Sequence, residues 1–537
     1  MTALERSYGK IPLIILAVFF LVFADVLYAA DEPAYGDAIV SAMISDANTL
    51  VPILASDAAS AEVCGMLFNG LVKYNETVTI VGDLAESWDI ADGGLVIIFH
   101  LRRNVKWHDG APFTARDVEF TYKKLIDPSV KTPYSGDFER VMSLDILDDY
   151  TVKVTYKEPF APALSSWGMW IMPEHLLKGK DLNGADFSRS PIGTGPYRFK
   201  KWQSGEKIEL VANQDYFEGR PYIDRYIIRV IPDAATIFLE LEVLGLDMAG
   251  LTPLQFKRQT DNSFFKKNYN KFKYPSFSYT YVGYNLKDPK FKDVQVRKAL
   301  DMAVDKEAII DTVLFGLGRL TTGPYLLDSW AYNKEVKPGP YDPARAKELL
   351  KDAGWIDSDG DGWIDKDGKV FEFTLLVNQG NSDRERTAEM VQGYLKAVGV
   401  RMKVRVLEWN AMINEFINKR RFEAVLMGWF LARDPDNYDI WHSSKTREAE
   451  FNFIGYSNPE VDRLLVKGRQ TFDQDERKAA YNKVHEIIYD EQPCMFLYSS
   501  EILPIVNSRF KNVRSSPIGI GYNFIKWYVP KSEQRYH

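Results

Sequence analysis

Residues that could carry catalysis are scarce in this chain of 537 residues. The six histidines are widely spaced in the sequence, at His100, His108, His175, His442, His485 and His537. No two of them have the i, i+4 spacing that places a pair of zinc ligands on one face of a helix. Cys-x-x-Cys spacing and the Gly-x-Ser-x-Gly elbow of serine hydrolases are also missing from the sequence. The side-chain inventory therefore predicts a protein that is not an enzyme.

One pair of carboxylates, Asp434 and Asp436, leaves an exported hydrolase as a remote alternative function. Both lie on the same short segment around Pro435. Acid–base hydrolysis of a glycosidic bond needs two carboxyl groups on opposing walls of a site. The spacing in this sequence therefore argues against hydrolysis by an exported enzyme.

The acidic run at Asp357, Asp359 and Asp361 matches the start of a calcium-binding loop, with Gly362 at the sixth position. Its twelfth position is Gly368, where such loops normally need a bidentate carboxylate. The run predicts either a structural calcium site or an acidic turn without an ion. No other cofactor is expected.

Composition and charge favour an exported binding protein over a nucleic-acid-binding one. The net charge is −7 and no long basic block occurs, which excludes the usual electrostatic footprint for nucleic acid. Residues 1–30 read as a signal peptide: Arg6 and Lys10 precede an apolar run at 11–24. This run is shorter than the roughly 20 residues of a spanning helix, although an uncleaved anchor stays open. No cysteine lies nearby for lipid attachment, so we expect a periplasmic protein.

The two cysteines, Cys64 and Cys494, leave two readings open. They could form one disulfide in an oxidising compartment, or remain as two thiols within cores. Their wide separation in the sequence gives no sign of proximity, and the pattern favours unpaired thiols.

The order of predicted elements indicates an α/β fold. Residues 37–233 read as mainly β, with a helix at 114–125. Residues 294–314 show the apolar periodicity of one long helix. Strands at 371–377, 400–407 and 422–429 then alternate with helices, which predicts a parallel sheet.

In such sheets ligands bind beyond the carboxyl ends of strands, here after the predicted strand 422–429. We therefore expect Trp429 to stack on or shield a ligand, and Asp434 and Asp436 to offer charge. Trp441 and His442 follow in the next loop and are further candidates for ligand contact.

Several segments together resemble the peptide/nickel family of extracellular solute-binding proteins of ABC transporters. They begin at Asp83, Phe99, Gly193, Val296 and Asp342, reading DLAESW, FHLRRNVKWHDG, GTGPY, VRKAL and DPARAKELLKDAGW. The resemblance implies a type II periplasmic-binding-protein fold, with two hinged lobes and a small β-rich inserted domain. Residues 31–79, 191–280 and 496–537 would form the first lobe, 80–190 the inserted domain and 281–495 the second lobe.

The same resemblance implies the capture of an oligopeptide for a membrane permease by a monomeric receptor. Tyr284 and Asn285 could pair with the peptide backbone. In dipeptide and oligopeptide receptors an Asp three residues after the Trp of the Gly-Trp strand end holds the ligand's ammonium, but here that position is Ala432. Either Asp434 replaces it, or the ligand presents no amine there. The second possibility leaves a non-peptide solute open: an oligosaccharide, a nickel chelate or haem.

Overall fold

The computed structural model describes residues 32–183, 186–447 and 450–536, except for the side chain of Asn410. Its helices of eight or more residues are Ala58–Leu67, Ala115–Leu125, Ala234–Glu242, Val294–Met302, Lys306–Val313, Pro343–Asp352, Ser382–Ala397, Pro459–Gln470 and Gln474–Glu491. Shorter helical segments are Ser135–Phe138, Ala163–Ser166, Glu174–Leu177, Ser263–Asn268, Trp409–Ala411 and Tyr438–Trp441. None of the helices in the described ranges is long and apolar enough to cross a membrane.

The first lobe is built on a seven-stranded sheet drawn from the beginning, middle and end of the chain. Its strand order is Tyr269–Lys271, Pro504–Asn507, Met248–Gly250, Gly36–Met43, Ile223–Val230, Lys207–Ala212 and Tyr197–Gln203. Arg509 ties the three chain segments together, because its buried guanidinium pairs with both Asp37 and Asp247. These two contacts fix distant parts of the chain in one core.

The second lobe is built on another seven-stranded sheet. Its strand order is Tyr274–Pro275, Cys494–Ile502, Ser278–Tyr284, Ala424–Phe430, Glu372–Asn378 and Arg401–Leu407, with Gly318–Leu320 also paired to Cys494–Ile502. The strands Arg401–Leu407 and Ala424–Phe430 both run parallel to Glu372–Asn378, which lies between them. The parallel strand-helix-strand unit predicted from the alternating pattern is confirmed.

A four-stranded antiparallel sheet forms the inserted domain, in the order Ala85–Ala91, Val96–Leu101, Thr151–Tyr156 and Val141–Asp148. The helix Ala115–Leu125 begins with a capping box, in which the Thr114 hydroxyl and the Asp117 carboxylate each accept a backbone N–H. Two small hairpins complete the sheets: Val72–Tyr74 with Ile80–Gly82, and Asp365–Lys366 with Lys369–Val370.

The single helix predicted at 294–314 is wrong. The chain forms two helices there, Val294–Met302 and Lys306–Val313. Asp305 starts the second one, because its carboxylate accepts the backbone N–H of Ala308. Both helices bury apolar side chains in the same core, so their combined sequence imitates one continuous amphipathic helix.

Two of the expected domain divisions fall inside strands of the second sheet. The division at 280/281 cuts Ser278–Tyr284, and the division at 495/496 cuts Cys494–Ile502. These two strands pair with each other, so both belong whole to the second lobe. These boundaries depend on pairing between strands about 200 positions apart in the sequence, and local composition does not reveal such pairing.

Two other expectations concern the start of the chain and its thiols. The predicted signal peptide at 1–30 lies outside the described residues. Cys64 and Cys494 are both buried and unpaired, so the reading with two core thiols is confirmed. Cys64 lies in a helix of the first lobe and Cys494 in a strand of the second.

Candidate functional site

A cavity of about 490 Å³ lies between the first lobe and one loop of the second. This volume is within the range of about 300–1,000 Å³ typical of small-molecule sites. The first lobe and the inserted domain contribute rings, glycine backbone and polar groups, including Asn69, Gly70, Lys73, Tyr74, Asp83, Trp170, Tyr216, Glu218, Tyr522 and Phe524. Arg433 enters from the second lobe. Residues of both lobes therefore line the cavity.

Lys73 and two carboxylates form a charged cluster on the first-lobe side of this cavity. The Lys73 ammonium lies 2.5 Å from a carboxylate oxygen of Glu218 and 3.5 Å from one of Asp83. Asn69 donates its amide N–H to both oxygens of Asp83. Burial raises the pKa of Asp83 to about 6, against the opposing effect of Lys73. Lys73 is therefore already paired with two carboxylates of the protein.

Arg433 is the charged residue that the second lobe brings to the cavity. Its guanidinium carbon lies 5.2 Å from the ring centre of Tyr74 and 4.9 Å from that of Phe277. Burial in the cleft lowers the pKa of Arg433, although an arginine side chain stays charged at any physiological pH. No carboxylate of the described residues lies within ion-pair distance of it. Arg433 thus brings a positive charge held by aromatic faces into the cavity.

Asp434 and Asp436 are not among the residues that line the cavity, and each pairs with an arginine of the second lobe. Asp434 accepts two hydrogen bonds from Arg477, at 2.7 and 3.0 Å. Asp436 accepts two from Arg469, at 2.5 and 3.1 Å. Burial raises the pKa of Asp436 to about 6. Both carboxylates are therefore largely neutralised by protein partners.

The predicted aromatic and histidine contacts lie within the second lobe, outside the set of residues that line the cavity. Trp429 is half-buried, with its ring centre 5.4 Å from that of Phe451. Trp441 is buried in a core of the second lobe. His442 stacks on Tyr438 at 4.2 Å, and burial lowers the pKa of its imidazole.

Tyr284 and Asn285 serve the second-lobe core in this structure. Tyr284 is buried and stacks on Phe291, with ring centres 4.8 Å apart. The Asn285 amide donates to the carbonyl oxygen of Phe422 at 2.9 Å. Both side chains thus stabilise the end of a central strand.

The acidic run keeps the geometry of a candidate calcium loop. Carboxylate oxygens of Asp357, Asp359 and Asp361 lie within 4.8 Å of one another, and all three residues are exposed. Backbone N–H groups occupy several of these oxygens; for example, Gly360 and Gly362 donate to Asp357. Calcium binding stays a prediction.

The loop predicted to face a ligand contributes Arg433 to the cavity, and none of the site residues predicted from the sequence lines it. Arg433 stands between Ala432 and Asp434 in the sequence, and its position beside Ala432 is the signal that could have marked it as a site residue. Lys73, Tyr74 and Glu218 carried no local signal, because they meet only through the fold of the first lobe. Asp83 is the first residue of the segment DLAESW, which carries the family resemblance and gives no sign of a role in the cavity.

Two lobes that close over a cavity lined by rings, backbone and a few charges define a ligand-binding protein of the two-lobed type. The chain belongs to the bacterial extracellular solute-binding proteins, family 5, whose middle-region model matches residues 79–450.

Similar proteins are named for, or were solved with, different ligands. The chain is 35% identical over 517 residues to the oligopeptide-binding protein AppA of Bacillus subtilis, covering 94% of this chain and 93% of the relative. The structure of that AppA in complex with a nonapeptide matches at 34% identity with a TM-score of 0.80, covering 93% of this chain and 100% of that one. NikZ from Campylobacter jejuni in complex with Ni(L-His) matches at 30% identity and a TM-score of 0.80, covering 92% and 99%.

Proposed function

We propose that this protein captures an oligopeptide in the cleft between its lobes and delivers it to the membrane permease of an ABC importer. The observation that carries the proposal is the match to the Bacillus subtilis oligopeptide-binding protein, which extends over 94% of the chain and so includes both lobes. The cavity supports it, because backbone groups and rings from the first lobe can accept a peptide of varied sequence.

The proposal includes binding without turnover and export to the periplasm as a monomer. The carboxylates that a hydrolase would need, Asp434 and Asp436, are each paired with an arginine. Incubation of the protein with peptide and glycan libraries should leave them intact. Cleavage by the wild type that is lost in Asp434→Asn, at a temperature where this variant stays folded, would instead establish a hydrolase.

Native mass spectrometry of gently purified full-length protein tests the cargo directly. A co-purified set of peptides is the expected result. A thermal-shift screen of peptides from two to nine residues follows it, because a ligand at 100 times its Kd stabilises the folded state by about 2.7 kcal/mol. No shift with any peptide would refute the peptide proposal.

A second candidate is a non-peptide solute, and one feature of the loop favours it. The position expected to hold an ammonium-binding carboxylate is Ala432, and the free charge beside it, Arg433, is positive. The match to NikZ in complex with Ni(L-His) gives this candidate a concrete probe. Nickel–histidine, haem and oligosaccharides should therefore be screened in the same assay, where a hit without any peptide hit would favour this reading.

A further inference from the structure

We propose that Arg433 anchors a carboxylate of the ligand, and that a bound peptide turns its free C-terminal carboxylate toward the second lobe. This inference rests on the proposed function and adds the orientation and charge of the cargo. A ligand ammonium placed at this end of the cavity would meet a positive charge instead of the expected negative one.

The neighbouring ion pairs leave the Arg433 charge available. Arg477 and Arg469 consume the two carboxylates that follow it in the sequence, Asp434 and Asp436. Across the described ranges, no other Asp or Glu oxygen comes within 4.0 Å of the Arg433 guanidinium. A guanidinium offers five N–H donors in a planar fork that matches a carboxylate, so an unpaired one in a cleft is prepared for an anion.

The surroundings of Arg433 hold it in place without using its polar donors. Tyr74 comes from the first lobe and Phe277 from the start of the second sheet, and both present ring faces to the guanidinium carbon. Such contacts leave N–H groups free to donate to a ligand. Because Tyr74 belongs to the opposite lobe, the arginine is also part of the contact that closes the cleft.

The second cation of the cavity, Lys73, is already committed. Its ammonium lies between Glu218 and Asp83, 2.5 Å and 3.5 Å from their carboxylate oxygens. Of the four charged residues that line the cavity, Lys73, Asp83, Glu218 and Arg433, the arginine is the one that lacks an ion-pair partner among the described residues. The cavity therefore favours an anion at its second-lobe end.

The test compares the free-acid and C-terminally amidated forms of each peptide that binds, by isothermal titration calorimetry. The wild type should bind the free acid about 10- to 100-fold more tightly, the range expected for hydrogen bonds to a charged group. Arg433→Gln should bind both forms equally and as weakly as the wild type binds the amide. A third form, an amidated peptide with one internal Glu, distinguishes a side-chain carboxylate from the terminal one, because only the former would restore affinity in the wild type.

Arg405→Gln is a matched control, since Arg405 also lies over an aromatic ring, that of Phe416, at 4.8 Å and does not line the cavity. It should retain the preference for free acid in full. Equal affinity of the wild type for acids and amides, or an unchanged preference in Arg433→Gln, would overturn the carboxylate anchor alone. If no free-acid peptide binds the wild type, the proposed function fails and the inference fails with it.

Discussion

The ion pair between Asp434 and Arg477 gives a prediction that separates a structural carboxylate from a ligand-binding one. The two side chains are only 14% and 9% exposed, and two hydrogen bonds at 2.7 and 3.0 Å join them. Asp434→Asn leaves the Arg477 charge buried without its partner. Breaking a buried pair in this way costs about 3–5 kcal/mol in the free energy of unfolding.

Thermal unfolding of the ligand-free protein measures this cost. For a lobe of roughly 200 residues, each kcal/mol lowers Tm by about 2–4 °C, so Asp434→Asn should lower it by about 10 °C. Arg477→Met should cost a similar amount by stranding the carboxylate. The double variant should be more stable than the sum of the two losses predicts, because no isolated charge remains buried.

The control is Glu460→Gln, which breaks the exposed pair with Arg463 at 2.7 Å. Both partners are about half exposed, so solvent screens the pair and its loss should leave Tm nearly unchanged. The reasoning is refuted if Asp434→Asn keeps the wild-type Tm but loses peptide binding. In that case Asp434 would contact the ligand, as the sequence first led us to expect.

Two further predictions concern closure and pH. Gly94→Ala should weaken ligand binding about 10-fold by reducing the population of the closed form, because a methyl group there overlaps the Phe472 ring across the contact between the inserted domain and the second lobe. The control is Gly93→Ala, whose added methyl group meets nothing within 4 Å and which should bind ligand normally. Equal affinities of the two variants would contradict this role of the contact. Burial lowers the pKa of His108 and His485 from 6.5 to about 4, because the folded protein disfavours the charged imidazole. The contribution of the two neutral rings to the free energy of unfolding is therefore complete above pH 6.5 and is lost as pH falls through about 4. NMR titration of the imidazole protons should show both rings neutral at pH 5, and titration near pH 6.5 would contradict their burial.

Much of the fold could be predicted from local patterns. Alternating polar and apolar residues located the strands around 151–156, 207–211 and 400–407, and a Pro-first, Gly-last pattern located the helix Pro343–Asp352. These signals are local because they depend on periodicity and on caps within a few residues. The divisions between lobes could not be read in the same way, because they depend on which distant strands pair.

The binding-site predictions show the same limit at the level of single residues. Tyr284 ends a strand that has a neighbour on each side, Ala424–Phe430 and Cys494–Ile502. The residues around Tyr284 in the sequence resemble those around an exposed aromatic residue near a loop. In the structure Tyr284 is buried in the core of the second lobe, where it stacks on Phe291. The ion pair of Asp434 likewise has no local signal in the sequence, because its partner Arg477 is 43 residues away on the helix Gln474–Glu491.

The three charged residues on the loop after Ala424–Phe430 contact different parts of the protein: Arg433 lines the cavity, whereas Asp434 and Asp436 pair with arginines of the second lobe. Asp434 and Asp436 face the second lobe, where Arg477 and Arg469 tie them to the two long helices Gln474–Glu491 and Pro459–Gln470. A loop held at two points loses little conformational entropy when a ligand arrives. Arg433 is thereby presented to the cavity from a fixed support. If Arg433 binds the ligand as proposed, the two carboxylates that the sequence predicted as ligand contacts act by positioning that arginine.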